Sequence, residues 1–345
     1  MIKVGVIGCG SIARFRHLPE YENHVMTSIV AVCDTNHQRA DEMARLYGAK
    51  AYYSYEALLE NEQMDAVSVC TPNYLHADMT IAALQKGKHV LCEKPMAVSV
   101  EEAERMIQAS KEHGKKLMIA HNQRFVPSHE KARELIATGE IGKIYSFRTA
   151  FGHPGPESWS VDGENSWFFQ KEKAQIGAMG DLGVHKTDLL RFLLNEEIEE
   201  VAAFVETSAK KQATVDDTAV CILKTESGVI GTLAASWSYV GKEDNSTIIY
   251  GEKGIVRLEE HPEYALIVQY GDGTVVNYAL GHIQSNDSGG QNDTGVIDRF
   301  VTCIKEDREP AVSGEEGKRS LAVIMAALKA HQEKRTISIR TEVLS

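Results

Sequence analysis

The first chemistry on the chain is Gly8-Cys9-Gly10-Ser11-Ile12-Ala13, a G-x-G-x-x-A between an apolar run and a helical pattern. Gly8 permits the tight turn, and Gly10 lets a pyrophosphate approach the backbone. There the N–H groups and dipole of the helix beginning at Ser11 and Ile12 favour negative charge. Ala13 replaces the third glycine, where close helix–strand packing needs a small residue. Asp34 ends the second apolar run, 26 positions after Gly8. A carboxylate there binds ribose hydroxyls and repels a 2′-phosphate, so NAD is expected and NADP disfavoured, with His37 and Arg39 nearby softening that preference. The same residues also have plainer uses: glycines after strands make turns, and Asp34 suits a helix N-cap.

Two further clusters follow strands. Thr71-Pro72-Asn73 with His76 succeeds the fourth, and Glu93-Lys94-Pro95 succeeds the fifth. Both fall on the carboxyl edge of the expected sheet, where open α/β sheets bind ligands, and all of these residues are candidate cofactor contacts. Pro95 restricts the backbone of Lys94 and so the direction of its ammonium.

The elements that must hold these groups alternate. Strands are expected at Ile2–Ile7, Thr27–Cys33, Met64–Cys70, His89–Leu91 and Lys116–Ala120, with a short piece near Ala51–Tyr53. Helical patterns at Ser11–Tyr21, Gln38–Tyr47, Tyr55–Asn61, Ala77–Lys86 and Val100–His113 separate them. Such alternation indicates βαβ units and a parallel sheet covered on both faces. After a helix at Phe125–Thr138 the rhythm changes to alternating segments joined by Glu226-Ser227-Gly228 and Gly271-Asp272-Gly273, as in antiparallel hairpins. A helix at Leu182–Leu194 is inserted early, and helices near Val296–Lys305 and Gly317–Glu333 close the chain. The expected architecture is an α/β Rossmann dinucleotide-binding domain over residues 1–123. An α+β domain with a large, mostly antiparallel open sheet follows over 124–345, for substrate binding and oligomerisation. Two polar loops, Gly152–Ser166 and Gly281–Gly295, are long enough to serve substrate.

With Glu93-Lys94-Pro95 at this distance from the glycine motif, the chain resembles the Gfo/Idh/MocA oxidoreductases of sugars and polyols over nearly its whole length. Asn122-x-Arg124 and Pro127 are similar to the family's segment leaving the nucleotide domain. Trp167-Phe168 and Gly177-Ala178-Met179-Gly180-Asp181-Leu182-Gly183-Val184-His185 are similar to its Trp-bearing, glycine-rich D-x-x-x-H region. Asp181 and His185, four apart at a helix start, share a face. In place of the three consecutive glycines that members often carry, this chain has Gln175-Ile176-Gly177, which bears on the substrate floor.

The resemblance implies reversible hydride transfer between NAD and a secondary alcohol of a polyol, sugar or sugar derivative, an inositol favoured. His185 would be the general base, Asp181 its orienting carboxylate, and Lys94 the donor to the reacting oxygen or itself the acid–base group. Asn122, Arg124 and Trp167 would line the substrate pocket with Asp181 and His185. Asp188 would be structural or a secondary contact. A homodimer or homotetramer is a family expectation. Two alternatives use the same scaffold: an NAD-assisted glycosidase that returns its hydride, and a non-catalytic sugar or NAD sensor.

Composition narrows the field. The 345 residues are 43% hydrophobic and 25% charged, enough apolar material for two cores. A net charge of −12 disfavours nucleic acid and anionic membrane surfaces as partners. Six cysteines without a C-x-x-C pair point to reduced thiols in the cytoplasm and to no metal site. No signal peptide or membrane span is expected.

Overall fold

The structure is a computed structural model describing residues 1–283 and 293–344. Most of the expected loop over 281–295 therefore lies outside the described residues. The chain divides into two compact units. The first holds Met1–Asn122, the segment Glu157–Trp167 and a stretch ending at Lys318; the second holds Gln123–Pro156, Phe168–Ile283 and the chain from Arg319.

In the first unit six parallel strands are β1 (Ile2–Ile7), β2 (Thr27–Cys33), β3 (Lys50–Tyr52), β4 (Ala66–Val69), β5 (His89–Cys92) and β6 (Leu117–Ile119), in the order β3-β2-β1-β4-β5-β6. This is the dinucleotide-binding order, with its switch point between β1 and β4. Every residue of β4 is buried, as expected of a strand covered on both faces. The helices between strands take their ends from local chemistry. Asn36 accepts the Arg39 amide to start His37–Tyr47, which stops at Gly48 with φ +62°. Ser99 likewise starts Val100–His113, which stops at Gly114 with φ +59°.

The first helix departs from expectation. Rather than one α-helix over Ser11–Tyr21, the chain winds through a wider π turn, Ala13–His17, before Leu18–Asn23. Both polar side chains at the end of that turn, Arg16 and His17, are buried. Such turns often mark functional sites.

The second unit is built on nine strands: β7 (Ile144–Gly152), β8 (Ile198–Glu206), β9 (Thr218–Thr225), β10 (Ile230–Ser236), β11 (Thr247–Gly251), β12 (Gly254–Leu258), β13 (Leu266–Tyr270), β14 (Val275–Tyr278) and β15 (Ile337–Ser338). Their order is β14-β13-β12-β11-β7-β10-β9-β8-β15, antiparallel throughout except where β10 runs parallel to β7. Alternation decides which face is buried. On β9, Ala219, Cys221 and Leu223 point inward while Val220 and Ile222 are half exposed. Each fully buried aliphatic side chain contributes about 1.5–3 kcal/mol. The expected helix at 182–194 begins as a second π turn, Met179–Gly183, and continues as Val184–Leu194. Among the described residues no helix is long and apolar enough to cross a membrane.

Candidate active site

In the first unit the candidate residues gather at the carboxyl edge. The Gly8 amide donates to the Cys33 carbonyl at 2.7 Å, which ties the turn to the end of β2. At φ +94°, a Cβ on Gly8 would lie 2.4 Å from the Cys70 carbonyl oxygen, so close approach to the end of β4 requires glycine. A Cβ on Gly10 would meet nothing within 4 Å. That opening beside a helix N-terminus fits a pyrophosphate. The Asp34 carboxylate accepts the Cys9 amide through Oδ2 and the Asn36 amide through Oδ1, both at 2.8 Å. It thereby braces the glycine turn, while the N-cap belongs to Asn36. Each of its oxygens keeps a further lone pair for ribose hydroxyls.

The loops after β4 and β5 are joined by His76. Its Nδ1 lies 2.7 Å from the Pro95 carbonyl oxygen and its Nε2 2.8 Å from that of Thr71. Burial lowers the pKa of this imidazole, with Lys94 adding repulsion, while the two carbonyls act against the shift because each accepts an N–H of the ring. Asn73 is buried in the short 3₁₀ turn that follows Pro72. Lys94 is half-buried and precedes a cis peptide bond to Pro95.

Behind Lys94 stands a buried network that spacing alone does not show. Glu93 Oε1 accepts from Arg16 Nη2 and from His17 Nε2, the latter at 2.8 Å, and Glu93 Oε2 accepts the Lys94 amide at 3.1 Å. Burial, then the Arg16 charge, push His17 well below its ordinary pKa, so the ring is neutral. Its single N–H then goes to Glu93. Nδ1 takes the Ser68 hydroxyl at 3.1 Å, and Ser68 Oγ takes the Tyr21 hydroxyl at 2.8 Å. Four side chains, from the π turn, the helix Leu18–Asn23 and β4, thus fix the carboxylate that holds the backbone of Lys94. One signal was available: Ala13, His17 and Tyr21 fall at i, i+4 and i+8 on the buried face of the first helix.

Cys9, Cys33, Cys70 and Cys92 all lie buried near these strand ends. Burial raises each thiol, Cys33 and Cys92 to about 12, so they stay protonated. Among the described residues no group of three or more His, Cys, Asp or Glu is placed to hold a metal ion.

The Gly152–Ser166 loop, expected to serve substrate, divides. Its later part returns to the first unit, where Ser11 Oγ donates to the Trp159 carbonyl at 3.3 Å and accepts the Val161 amide at 2.9 Å. Asp162 pairs with Arg39. Trp167, also in this unit, is half-buried, and Asn122 is buried.

In the second unit the glycine-rich segment is pinned by a residue outside the motif. Asp216 accepts the Gly177 amide at 2.7 Å and the Met179 amide at 2.8 Å. A Cβ on Gly177 would lie 1.9 Å from the Asp216 carbonyl oxygen, so glycine is needed there, whereas Gln175 occupies its place with φ +62°. Asp181, in the π turn, accepts Trp237 Nε1 at 3.1 Å. Trp237 is fully buried, with Phe168 and Phe169 edge-on to its ring at 6.3 and 5.8 Å. His185 packs near Phe151, ring centroids 5.8 Å apart. Asp188 is forked on Arg124 through two 2.7 Å hydrogen bonds and also accepts from Ser320. This buried bidentate pair gives Arg124 a structural anchor. Beside His185, the Lys186 ammonium donates to the Asn245 carbonyl at 2.6 Å, and burial lowers it to about 7.

Comparison with known proteins covers both units. Residues 2–121 match the model of the oxidoreductase family with an NAD-binding Rossmann fold, and residues 129–257 match the GFO/IDH/MocA C-terminal domain. The chain is 29% identical to a myo-inositol 2-dehydrogenase of Thermotoga maritima over 98% of both chains. It is 28% identical to a 1,5-anhydro-D-fructose reductase of Ensifer adhaerens over 99% of both. The solved structure of levoglucosan dehydrogenase with NADH and levoglucosan superposes with a TM-score of 0.83 at 25% identity, covering 98% of this chain and 99% of that one.

Proposed function

The chain belongs to the Gfo/Idh/MocA oxidoreductase family and carries its NAD-binding Rossmann domain, and from that premise we propose that it oxidises a secondary alcohol of a small polyhydroxylated compound, an inositol favoured, and reduces the matching ketone. When bound, the nicotinamide accepts or returns the hydride. The observation that carries the proposal is the bracing of Lys94, held at the carboxyl edge by Glu93 and the network behind it. With its backbone so fixed at the strand end, Lys94 is placed to donate from Nζ to an oxygen that gains negative charge.

In this proposal Lys94 Nζ hydrogen-bonds the reacting oxygen and stabilises the developing alkoxide. The His185 imidazole takes the hydroxyl proton, and Asp181, itself oriented by Trp237, stabilises the imidazolium. Asn122 and Trp167 contact the substrate. Arg124, forked on Asp188, is a positioning residue. Gly8, Gly10, Ser11 and Ile12 receive the pyrophosphate, Asp34 the ribose, and the Thr71–Asn73 and His76 loops the nicotinamide end. The names of the relatives support a polyol or sugar derivative as substrate, and the inositol preference rests on the myo-inositol enzyme.

We further propose a homodimer or homotetramer in the cytoplasm. Phe204, Val220, Ile222 and Ile230 stand 50–79% exposed on neighbouring strands of the second sheet, an apolar face suited to a second copy. Six free, buried thiols suit a reducing compartment.

The test is the absorbance of reduced nicotinamide after mixing cofactor-free protein with NAD and a panel of inositols, sugars and anhydrosugars. Reduction of NAD by one polyol class is expected. No reduction by any member, with NAD binding shown separately, would contradict the proposed substrate class.

A further inference from the structure

Arg39 lies in the first turn of the helix that follows Asp34, close to where a 2′-phosphate would be held in a cofactor that carries one. A guanidinium there would ordinarily fork onto that phosphate. In this chain it is already engaged. Its partner is the Asp162 carboxylate, on the segment Glu157–Trp167 that returns to the first unit. Both side chains are about one-third exposed, at 28% and 32%. Asp162, then Asp34, favour the charged guanidinium.

Asp162 is not there by chance contact of one flexible side chain. Ser160 Oγ accepts its amide at 3.3 Å, and Val161 donates its amide to Ser11 Oγ at 2.9 Å. The Ser11 hydroxyl in turn donates to the Trp159 carbonyl at 3.3 Å. The segment is thus stitched both to the glycine turn and to the start of the second helix. Other nearby groups are committed as well. Arg14 pairs with Glu42 at 2.6 Å, and His37 stacks on Tyr53 with ring centroids 3.9 Å apart.

Resting on the cofactor reading above, we propose that Asp162 is a specificity residue that makes the protein reject NADP. By occupying Arg39 it leaves a 2′-phosphate facing two carboxylates, Asp34 and Asp162, with one guanidinium already neutralised. NAD, with its free 2′-hydroxyl, leaves the Arg39–Asp162 pair in place.

The experiment is calorimetric titration of NAD and of NADP into wild type, Asp162→Asn, Arg39→Ala and the double variant. In Asp162→Asn the freed guanidinium gains one charge-assisted phosphate contact, so NADP should bind about tenfold more tightly while NAD changes by less than about threefold. The gain should vanish in the double variant. Unchanged NADP affinity in Asp162→Asn, a gain that survives removal of Arg39, or a wild type that takes both cofactors equally would each overturn the proposal. Each variant's NAD isotherm reports that the site is folded. Failure of wild type to bind NAD would bring down the cofactor reading and this inference together. NAD binding without an NADP gain would bring down only the inference.

Discussion

Glu93→Gln keeps the shape of the side chain and removes its charge. Arg16 and Glu93 have side chains only 3% and 6% exposed, so the guanidinium would remain buried beside a neutral amide. One amide oxygen would replace two carboxylate oxygens, so it could serve either Arg16 and His17, which share Oε1, or the Lys94 amide on Oε2, and the other side would face the NH2 group. Breaking a buried pair by removing one partner costs about 3–5 kcal/mol. At roughly 2–4 °C per kcal/mol for a domain of this size, the apparent Tm should fall by roughly 6–20 °C. Differential scanning calorimetry reads this directly. Turnover at a permissive temperature should fall too. Glu93 Oε2 holds the Lys94 amide at 3.1 Å, and a displacement of about 1 Å at a reacting group can cost about 100-fold. Ser68→Ala provides the graded control. It removes the hydroxyl between Tyr21 and His17 but leaves the Arg16–Glu93 pair, so the loss should be about 1–3 kcal/mol for each buried group left unpaired. A Glu93→Gln protein melting within about 2 °C of wild type would refute the reasoning, since a buried pair could not then be what braces the loop.

Other outcomes follow from the same geometry. Lys94→Met should lower turnover by at least about 100-fold while NAD binding, measured by fluorescence titration, stays near wild type; near-normal turnover would remove Lys94 from the chemistry. His185→Ala should flatten the rise in alcohol oxidation with pH, and an unaltered pH–rate profile would make His185 structural. Lys186 carries a pH signature of its own. Burial lowers it from 10.5 to about 7, with Glu259, Glu243 and Asp244 acting against the shift. Between those two values the unfolded chain binds more protons than the folded one, so stability rises with pH through this window. Lys186→Met should remove that rise, improving thermal stability near pH 6 more than near pH 10; identical pH dependence in variant and wild type would show that the ammonium does not titrate there.

The parts of this protein legible in its sequence are those written locally. A parallel sheet needs apolar strands alternating with helices, and a phosphate-binding turn needs glycines at fixed offsets. Those patterns exposed the Rossmann unit, the Gly8 turn, Asp34 and the strand-end position of Lys94. The antiparallel sheet was legible through alternation on strands such as β9. What stayed hidden depends on long-range convergence. Arg16, His17 and Ser68 are unremarkable one by one, and only the packing of the first helix against β4 brings them to Glu93. Trp237 and Asp216 lie 56 and 39 positions from the groups they hold, Asp181 and Gly177. The return of Glu157–Trp167 to the first unit, where it contacts Ser11 and Arg39, has no composition change to announce it. Both π turns escaped notice because their residue types are those of ordinary helices.

The most direct test of the account follows the hydrogen itself. The enzyme is incubated with NAD and a polyol deuterated at the carbon to be oxidised, and the reduced cofactor is weighed by mass spectrometry. One deuterium is expected in the reduced nicotinamide for every molecule of ketone formed. Deuterium retained in the carbohydrate product, with no net reduction of the cofactor, would contradict it and point to chemistry that returns the hydride to its source.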